Sequence, residues 1–423
     1  MCRCRGKEHP LSEVSNIPDE GEKIGPQEKK IPENELKDWP ERGRVLRPRT
    51  ERPLYKLPAD ATVAERRQMA VLAMRDELTW PWTAAAPITY SKKQACARDY
   101  LLPTGQVFCG LPYTTASSSL FAWLECMDLE TGVLENTHLP RVGYEMGNAC
   151  APSVGWGQSA VCPSVGGGMI CRRYTPGYGY VILGGLKYPD GLNGELEYKQ
   201  YSTRQIIADN GPAAAMEGLA LALPGDTLVC SGNFSGTHAM MVTEPAHVVR
   251  REDGTPDPEE SWLMIQDQRS KEYPVIEDAQ RMSRRGRTGQ KMTFAFLTGF
   301  GFIAVSPKEW QENRPYEPAR AWLSTGSLQL TKLAETVLYS NYRMAVIKLT
   351  VRDAGGRTLM RSRLLPHSEF GGEDTGRTYY FEGCPLTEFA DSDTLNKLAA
   401  NYPAAHAEVS VLAASGEEFV FES

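Results

Sequence analysis

Cys150 and His238 have the residue types and the sequence context of a nucleophile and its base. The segment around Cys150 reads YEMGNACAPSVGWGQSAVC, in which a Gly-Asn turn is expected to lead into a helix carrying Val154, Trp156 and Ala160. Cys150 would then lie at the helix N-terminus, where unpaired backbone N–H groups and the helix dipole favour a thiolate. The thiolate is the attacking form of cysteine, so the segment predicts nucleophilic chemistry.

A thiolate nucleophile needs a base beside it, and the chain offers only six histidines. His238 begins the predicted strand THAMMVTE after the Gly-rich loop SGNFSGTH, which leaves room for a substrate. The other histidines lie in the N-terminal tail, beside an acidic loop, just past this strand or in the C-terminal region: His9, His138, His247, His367 and His406. Spacing alone leaves a structural alternative open, in which Cys150 is a buried small residue and His238 an ordinary hydrogen-bonded one.

The composition is that of a folded protein without a strong charge bias. The chain has 423 residues, of which 41% are hydrophobic and 23% charged, and its net charge is −7. This length predicts two or three domains. The mild charge lacks the field that draws a protein to nucleic acid, so nucleic acid is not an expected partner. No run of about 18 or more apolar residues occurs, which predicts no membrane span.

The sequence predicts neither a metal ion nor a cofactor. The ten cysteines are separated by wide gaps that match no small disulfide-stapled scaffold. Cys2 and Cys4 form a C-x-C pair, but no second pair or histidine follows at ligand spacing. Neither G-x-G-x-x-G in a nucleotide-binding context nor G-x-x-x-x-G-K-[ST] is present.

The chain divides into three predicted parts. Residues 1–58 are rich in Pro, Glu, Lys and Arg and predict a disordered or extended N-terminal arm. Residues 59–320 begin with DATVAERRQMAVLAMRDELTW, which predicts a helix capped by Asp60 or Thr62. A second helix is expected from about Ser118. The runs DTLVCSG, THAMMVTEPAHVVRR and SWLMIQDQRS predict an antiparallel meander, and TFAFLTGFGFIAVSPKEW is expected to add one or two strands.

A Pro-bearing connection near residues 318–326 is expected to lead into the third part, residues 327–423. Repeated alternation of apolar and polar residues, as in RMAVIKLTVRD and AEVSVLAAS, predicts a small β-sandwich there. One short helix, LTEFADSDTLNKLAA, interrupts the alternation.

Three stretches together resemble the NlpC-type branch of papain-like cysteine peptidases, especially bacterial cell-wall amidase-like proteins with flanking domains. CGLPYTTASS resembles the G-[IL]-P-Y segment of that family, YEMGNACAPSVGWG its cysteine helix, and GDTLVCSGNFSGTHAMMVTE its GD-to-His strand pair. The likeness covers roughly residues 65 to 310. It implies an α+β, papain-like domain with a helix-borne cysteine and an antiparallel sheet, followed here by the all-β C-terminal part.

The resemblance places the nucleophile at Cys150, its base at His238 and a third polar residue on the next strand, which offers Gln266, Asp267 and Gln268. Strand alternation puts Asp267 on one face and the two glutamines on the other. We favour Asp267, because a carboxylate would orient the imidazole ring and stabilise its protonated form. Gln266 and Gln268 stay open as alternatives. The backbone N–H of Cys150 is the simplest oxyanion donor.

Three further residues are weaker candidates for this site. Tyr113 and Tyr144 are candidate pocket walls, although a tyrosine in such a place is more often an ordinary packed aromatic. Cys162 is a second candidate nucleophile, but no histidine in a suitable context follows it.

The implied activity is hydrolysis of an amide or isopeptide bond, in peptidoglycan peptides or a related short peptide, through a thioester. The resemblance also implies a location outside the cytoplasm, although MCRCRGKEHPLSEV lacks the apolar stretch of a signal peptide. Many family members carry Asp-Cys-Ser around the nucleophile, where this chain has Ala149, Cys150 and Ala151. This departure keeps open a catalytically silent binding or adhesion protein. A thioester acyltransferase is a further alternative, and the oligomeric state is not predicted.

Overall fold

The structure is a computed structural model. It describes the following residues: 48–90, 100–114, 116–139, 144–163, 165, 179–188, 201–233, 236–268, 286–365 and 383–423. They belong to one compact unit that spans Pro40–Ser423. Helices and several antiparallel sheets give this unit a mixed α+β architecture. Within these ranges, no helix has the length and apolar character needed to cross a membrane.

The first predicted helix forms as α1, Val63–Thr79. Thr62 caps it: its hydroxyl accepts a hydrogen bond from the amide of Glu65, and the Glu65 carboxylate accepts one from the amide of Thr62. This reciprocal pair is a capping box, so the prediction that named Thr62 is confirmed. The buried residues of α1 include three charged ones, Arg66, Arg67 and Glu77. Charges buried in this way require specific polar partners.

Short strands and a short helix follow α1. The strands are β1 Pro81–Ala84, β2 Ile88–Tyr90, β3 Tyr100–Leu102, β4 Phe108–Cys109, β5 Met127–Asp128, β6 Val133–Leu134, β7 His138–Leu139 and β8 Tyr144–Glu145. Four of them form a sheet in the order β4-β1-β6-β5, and β2–β3 and β7–β8 form antiparallel pairs. The helix α2, Leu120–Leu124, starts after its cap Ser119, one residue past the predicted start. Buried tryptophans, among them Trp82 and Trp123, fill the core of this part.

The predicted cysteine helix forms as α3, Cys150–Ser159, and it is buried along its whole length. It packs against α1 and against strands of a six-stranded sheet. Gly157 allows this close approach, because a Cβ atom there would lie 2.8 Å from Cβ of Met74 and 3.1 Å from Cε of Met241. A helix surrounded in this way can hold its first residue in a fixed place.

The six-stranded sheet packs against α3. Its strands are β9 Tyr180–Ile182, β10 Thr227–Asn233, β11 Gly236–Val242, β12 Trp262–Gln268, β13 Gly286–Thr293 and β14 Ile303–Pro307. They are ordered β13-β12-β11-β10-β14-β9, and every neighbouring pair is antiparallel. The predicted meander of β10, β11 and β12 is therefore confirmed. Val229 and Met241 belong to the core shared with α1 and α3, whereas Leu228 and Met240 belong to a second core on the other face.

Further helices accompany this sheet: α4 Thr203–Asn210, α5 Pro212–Ala220, α6 Phe294–Phe300 and α7 Lys308–Gln311, with a 3₁₀ turn at Leu183–Gly185. The run TFAFLTGFGFIAVSPKEW, which was expected to add one or two strands, adds one, and its first half forms α6. Thr293 caps this helix, Phe294 and Leu297 are buried three residues apart, and Gly301 ends it in the left-handed conformation. This spacing buries both side chains on one face of a helix. The second half of the same run forms β14, as predicted.

The C-terminal part is rich in strands: β15 Ala321–Leu323, β16 Val337–Ser340, β17 Met344–Arg352, β18 Thr358–Leu364, β19 Cys384–Pro385, β20 His406–Ala413 and β21 Glu418–Glu422. It also contains 3₁₀ turns at Leu330–Glu335 and Leu386–Glu388 and the helix α8, Ser392–Asn401. The strands form one sheet ordered β15-β16-β19 and another ordered β18-β17-β20-β21. Both sheets contribute to one hydrophobic core. The predicted connection at residues 318–326 contains β15, so it is shorter than expected.

The C-terminal strands pack directly on the cysteine helix. Trp156 of α3 and Ala160, the residue that caps its C-terminal end, share a hydrophobic cluster with Val346 of β17 and Leu412 of β20. The guanidinium carbon of Arg343, the residue before β17, lies 3.3 Å from the ring centroid of Trp156. The C-terminal part is therefore built into the support of α3.

The last residues of the predicted N-terminal arm are also packed. Within residues 48–58, Tyr55 is buried, and its amide donates a hydrogen bond to the carbonyl of Ser415 at 2.7 Å. Arg49 forms an ion pair with Asp76 of α1. The prediction for this stretch was a disordered or extended arm, and residues 48–58 form neither a helix nor a strand but are held by these contacts. The rest of the predicted arm, including Cys2 and Cys4, lies outside the described residues.

Candidate active site

Cys150 is the first residue of α3 and is buried, with 7% of its surface exposed. The N-cap position before it is Ala149, which makes no side-chain capping bond. The backbone leading to the helix is held from both sides. The amide of Asn148 donates to the carbonyl of Pro112 at 2.9 Å, and the amide of Thr114 donates to the carbonyl of Asn148 at 3.0 Å. We refer to residues 147–149 as the cysteine loop.

The segment CGLPY is what holds the cysteine loop. Tyr113 and Asn148 form an isolated parallel β-bridge. Gly147 must lack a side chain, because a Cβ atom there would lie 2.4 Å from the carbonyl oxygen of Pro112. Gly110 has a φ of +72°, and a Cβ atom there would lie 2.3 Å from the carbonyl oxygen of Leu78. Two of the three stretches that carry the resemblance are thus in contact.

The structure brings Cys150, His238 and Asp267 together. Nε2 of His238, in β11, lies 2.8 Å from Oδ2 of Asp267 in the adjacent strand β12. A carboxylate oxygen accepts, so the ring nitrogen is the donor. His238 is also hydrogen bonded to Cys150. Because Nε2 contacts Asp267, Nδ1 is the ring nitrogen available to the cysteine sulfur.

The charge state of His238 follows from these two partners. Burial on its own lowers the pKa of the imidazole, but the hydrogen bonds to Asp267 and Cys150, together with their charges, outweigh it and raise the pKa from 6.5 to about 9. The ring is therefore protonated at neutral pH. A protonated imidazole beside Cys150 favours the thiolate. Cys150, at one ring nitrogen of His238, can act as a nucleophile. Asp267, at the other ring nitrogen, can hold the ring in its orientation.

The two glutamines that were alternatives to Asp267 point elsewhere. Nε2 of Gln266 donates to the carbonyl of Val71 in α1 at 2.9 Å. Nε2 of Gln268 donates to the carbonyl of Leu111 at 2.6 Å. Strand parity thus separates the three residues as predicted, and Asp267 is the one beside His238.

The weaker candidates have other surroundings. Cys162 is fully buried in the core, three residues beyond the C-terminal end of α3, whereas Cys150 begins this helix, which is about 15 Å long. Tyr113 lies beside the cysteine loop and is 8% exposed. Tyr144 lies in β8, and its side chain is outside the described part of the chain. His138 of β7 is paired with Glu145 of the neighbouring strand β8.

The GD pair of the third resembling stretch has a structural role. Gly225 has a φ of +83°, and a Cβ atom there would lie 2.9 Å from the ring of Trp310. Oδ1 of Asp226 accepts from Nη1 of Arg67 at 2.6 Å, and Oδ2 accepts from the amide of Leu223 at 2.9 Å. Asp226 therefore links α1 to the start of β10 through its ion pair with Arg67.

Sequence reasoning missed Glu77, Asn148 and Ser153, which meet under the cysteine loop. Oε1 of Glu77 accepts from Nδ2 of Asn148 at 2.9 Å and from the hydroxyl of Ser153. One signal was present in the sequence: Glu77 falls on the same face of α1 as Ala70 and Met74, which are apolar and buried. An acidic residue on a core face indicates a specific buried partner.

The described residues contain no group of three or more His, Cys, Asp or Glu side chains arranged to hold a metal ion. The cysteines within them are all buried: Cys109, Cys126, Cys150, Cys162, Cys230 and Cys384. Cys96 and Cys171 lie outside the described residues.

No protein-family model matches the chain, and comparisons with curated proteins and with solved structures found no match. A function for this chain must therefore be inferred from the geometry of the site.

Proposed function

We propose that the protein is a cysteine hydrolase that cleaves an amide or isopeptide bond through a thioester. One observation carries the proposal: Cys150, at the N-terminus of a buried helix, is hydrogen bonded to His238, whose other ring nitrogen is hydrogen bonded to buried Asp267. A nucleophile, a base and an orienting anion in this order are the parts that acyl transfer requires. The hydrogen bond between Cys150 and His238 favours this activity over a catalytically silent binding protein.

The proposed reaction has two halves. The Cys150 sulfur attacks the carbonyl carbon, and the resulting oxyanion is stabilised by the backbone N–H of Cys150 at the helix start. His238 passes its proton to the leaving amine, the C–N bond breaks, and a thioester remains on Cys150. A water molecule then attacks the thioester while His238 accepts its proton, the C–S bond breaks, and the acid is released, which restores the Cys150 thiolate beside a protonated His238. Asp267 keeps the ring oriented and stabilises its charged form throughout.

We propose a papain-like arrangement for the part around α3. Its support is a helix-borne cysteine packed on an antiparallel sheet whose neighbouring strands β11 and β12 carry His238 and Asp267. We propose a β-sandwich-like arrangement for the C-terminal part, on the basis of two sheets that share one hydrophobic core.

The proposed substrate is a peptide of peptidoglycan or a related short peptide, as the NlpC-type resemblance implies. The same thioester could transfer its acyl group to an amine in place of water. The two outcomes differ in product mass, since hydrolysis adds water to the acyl fragment and transfer adds the acceptor.

The test is to incubate the full chain with defined peptidoglycan fragments and to identify the products by mass spectrometry. Iodoacetamide is expected to label Cys150 faster than the other cysteines, and Cys150→Ala is expected to abolish product formation. Cys162→Ala is the matched control, because Cys162 is also a buried cysteine in the same core but lies beyond the far end of α3. Turnover that persists unchanged in Cys150→Ala would contradict the proposal.

A further inference from the structure

Glu77 is a buried carboxyl group that the proposed reaction does not use. It is 2% exposed, in the last turns of α1. Both of its hydrogen-bond donors, the amide nitrogen Nδ2 of Asn148 and the hydroxyl of Ser153, contact the same oxygen, Oε1. Burial of a carboxyl group is unfavourable unless such bonds compensate for lost water. The Glu77 carboxyl group is therefore held in its buried position by its hydrogen bonds to Asn148 and Ser153.

The partners of Glu77 lie on both sides of Cys150. Asn148 is two residues before it, in the cysteine loop, and Ser153 is three residues after it, in the first turn of α3. Oδ1 of Asn148 accepts a hydrogen bond from the amide of Ala149 at 3.0 Å, while Nδ2 donates to Glu77. Glu77 thus joins the incoming loop and the first helical turn through one oxygen atom.

Charged and polar groups from each packed element face Glu77. Burial raises the pKa of its carboxyl group to about 7, while the hydrogen bonds from Ser153 and Asn148 and the charge of Arg343 act in the opposite direction. Arg343 comes from the C-terminal part and is itself buried. Tyr55, from the N-terminal stretch, also interacts electrostatically with Glu77.

We propose that Glu77 is a positioning residue for Cys150: its hydrogen bonds to Asn148 and Ser153 fix the helix start so that the thiol and its backbone N–H stay aligned with His238. This inference rests on the proposed function, since it assigns a role at the same site. Glu77 touches neither the substrate nor the reacting atoms, so its effect passes through the cysteine loop. A displacement of about 1 Å in a reacting group lowers rates by about a hundredfold.

The test measures the rate constant for alkylation of Cys150 by iodoacetamide in the full chain, from pH 5 to pH 10, with peptide mapping by mass spectrometry. The variants are Glu77→Ala, which removes both hydrogen bonds, and Glu77→Gln, which keeps an oxygen at the position of Oε1. Asp76→Ala is the matched control. Asp76 is the next residue on α1, but its carboxylate pairs with Arg49 and Tyr55, away from the cysteine loop. Circular dichroism verifies that each variant is folded.

We expect alkylation to be about tenfold or more slower in Glu77→Ala, with an altered pH profile, and close to wild type in Glu77→Gln and Asp76→Ala. A folded Glu77→Ala protein with wild-type rate and pH profile would overturn the positioning role. So would a Glu77→Gln protein as slow as Glu77→Ala, because the charge and not the hydrogen bonds would then be responsible. If Glu77→Ala does not fold, Asn148→Ala decides, since it removes the link from the loop side; wild-type alkylation there rejects the role.

Alkylation separates this inference from the proposed function, because it needs no substrate. Slow alkylation in Glu77→Ala, with no cleavage of any peptide by the wild type, would reject the hydrolase and keep the positioning role. Cleavage by the wild type with unchanged alkylation in Glu77→Ala would support the hydrolase and reject the positioning role.

Discussion

The carboxylate of Asp267 lies 2.8 Å from Nε2 of His238, and the two side chains differ sharply in exposure: Asp267 is fully buried, whereas 24% of the His238 side chain is exposed. The imidazole is therefore anchored at its protein-facing end, and its other nitrogen stays available to Cys150. A buried anion that acts on a partly exposed ring has a strong effect on the ring's charge, because water screens it weakly.

Removal of the Asp267 carboxylate should lower the pKa of His238. In Asp267→Asn the ring keeps a polar neighbour but loses the negative charge, so the pKa should fall below about 9; in Asp267→Ala both are lost and turnover should fall about a hundredfold. NMR titration of the histidine ring measures the pKa directly. Gln266→Leu is the control on the opposite face of β12. An unchanged His238 pKa in Asp267→Asn would contradict the assignment.

The pair Asp267 and His238 also shows what the sequence could predict. Strand side chains alternate with a period of two, so parity separated Asp267 from Gln266 and Gln268 once the pairing of β11 and β12 was expected. The cysteine helix was predictable for a similar reason, because a Gly-Asn turn followed by small and apolar residues is a local signal.

Glu77 and Arg343 were not predictable from local patterns. Glu77 is 71 residues from Asn148 in sequence, and their contact exists only because α1 packs on α3. Arg343 reaches Trp156 because the C-terminal strands cover α3, and an apolar helix face does not reveal which element covers it. The helix α6 was not predicted: the aromatic residues of its segment favour strands, which left one or two strands open there, whereas the structure has a helix capped by Thr293.

The raised pKa of His238 should make stability depend on pH in a defined window. The folded state holds the proton more tightly than the unfolded state, whose pKa is near 6.5, so the stabilisation is complete below pH 6.5 and is lost as pH rises through about 9. One pKa unit corresponds to about 1.4 kcal/mol, so protonation of His238 contributes up to about 3 kcal/mol to the free energy of unfolding. Urea unfolding of wild type and His238→Gln at pH 6 and pH 9.5 measures the difference. Parallel pH dependences in the two proteins would contradict this expectation.

The close packing of α3 on α1 predicts opposite effects of adding a methyl group at two helical glycines. Gly157→Ala should destabilise the protein by about 1–3 kcal/mol, because the new Cβ would meet Met74 and Met241 within the buried core. Gly299→Ala, in α6, should be neutral or stabilising by up to about 1 kcal/mol, because no atom outside the local helix backbone lies within 4 Å of the added Cβ. Thermal unfolding followed by circular dichroism compares them. A Gly157→Ala protein as stable as wild type would mean that α3 sits farther from α1.

The buried ion pair between Arg67 and Asp226 predicts that removing one partner lowers the free energy of unfolding more than removing both charges does. Nη1 of Arg67 lies 2.6 Å from Oδ1 of Asp226, Nη2 donates to the hydroxyl of Ser306, and the guanidinium stacks on Trp310. Arg67→Ala leaves a buried carboxylate without its counter-charge and should cost about 3–5 kcal/mol of unfolding free energy.

The double variant Arg67→Met, Asp226→Asn should cost less, because it removes both charges and keeps an oxygen that can accept from the amide of Leu223. Arg250→Ala is the control: it breaks the exposed ion pair with Glu217, so it should lower the unfolding free energy much less than Arg67→Ala does. Urea unfolding at pH 7 ranks the three variants. A double variant less stable than Arg67→Ala would show that the hydrogen bonds of this pair, and not its charges, hold α1 to β10.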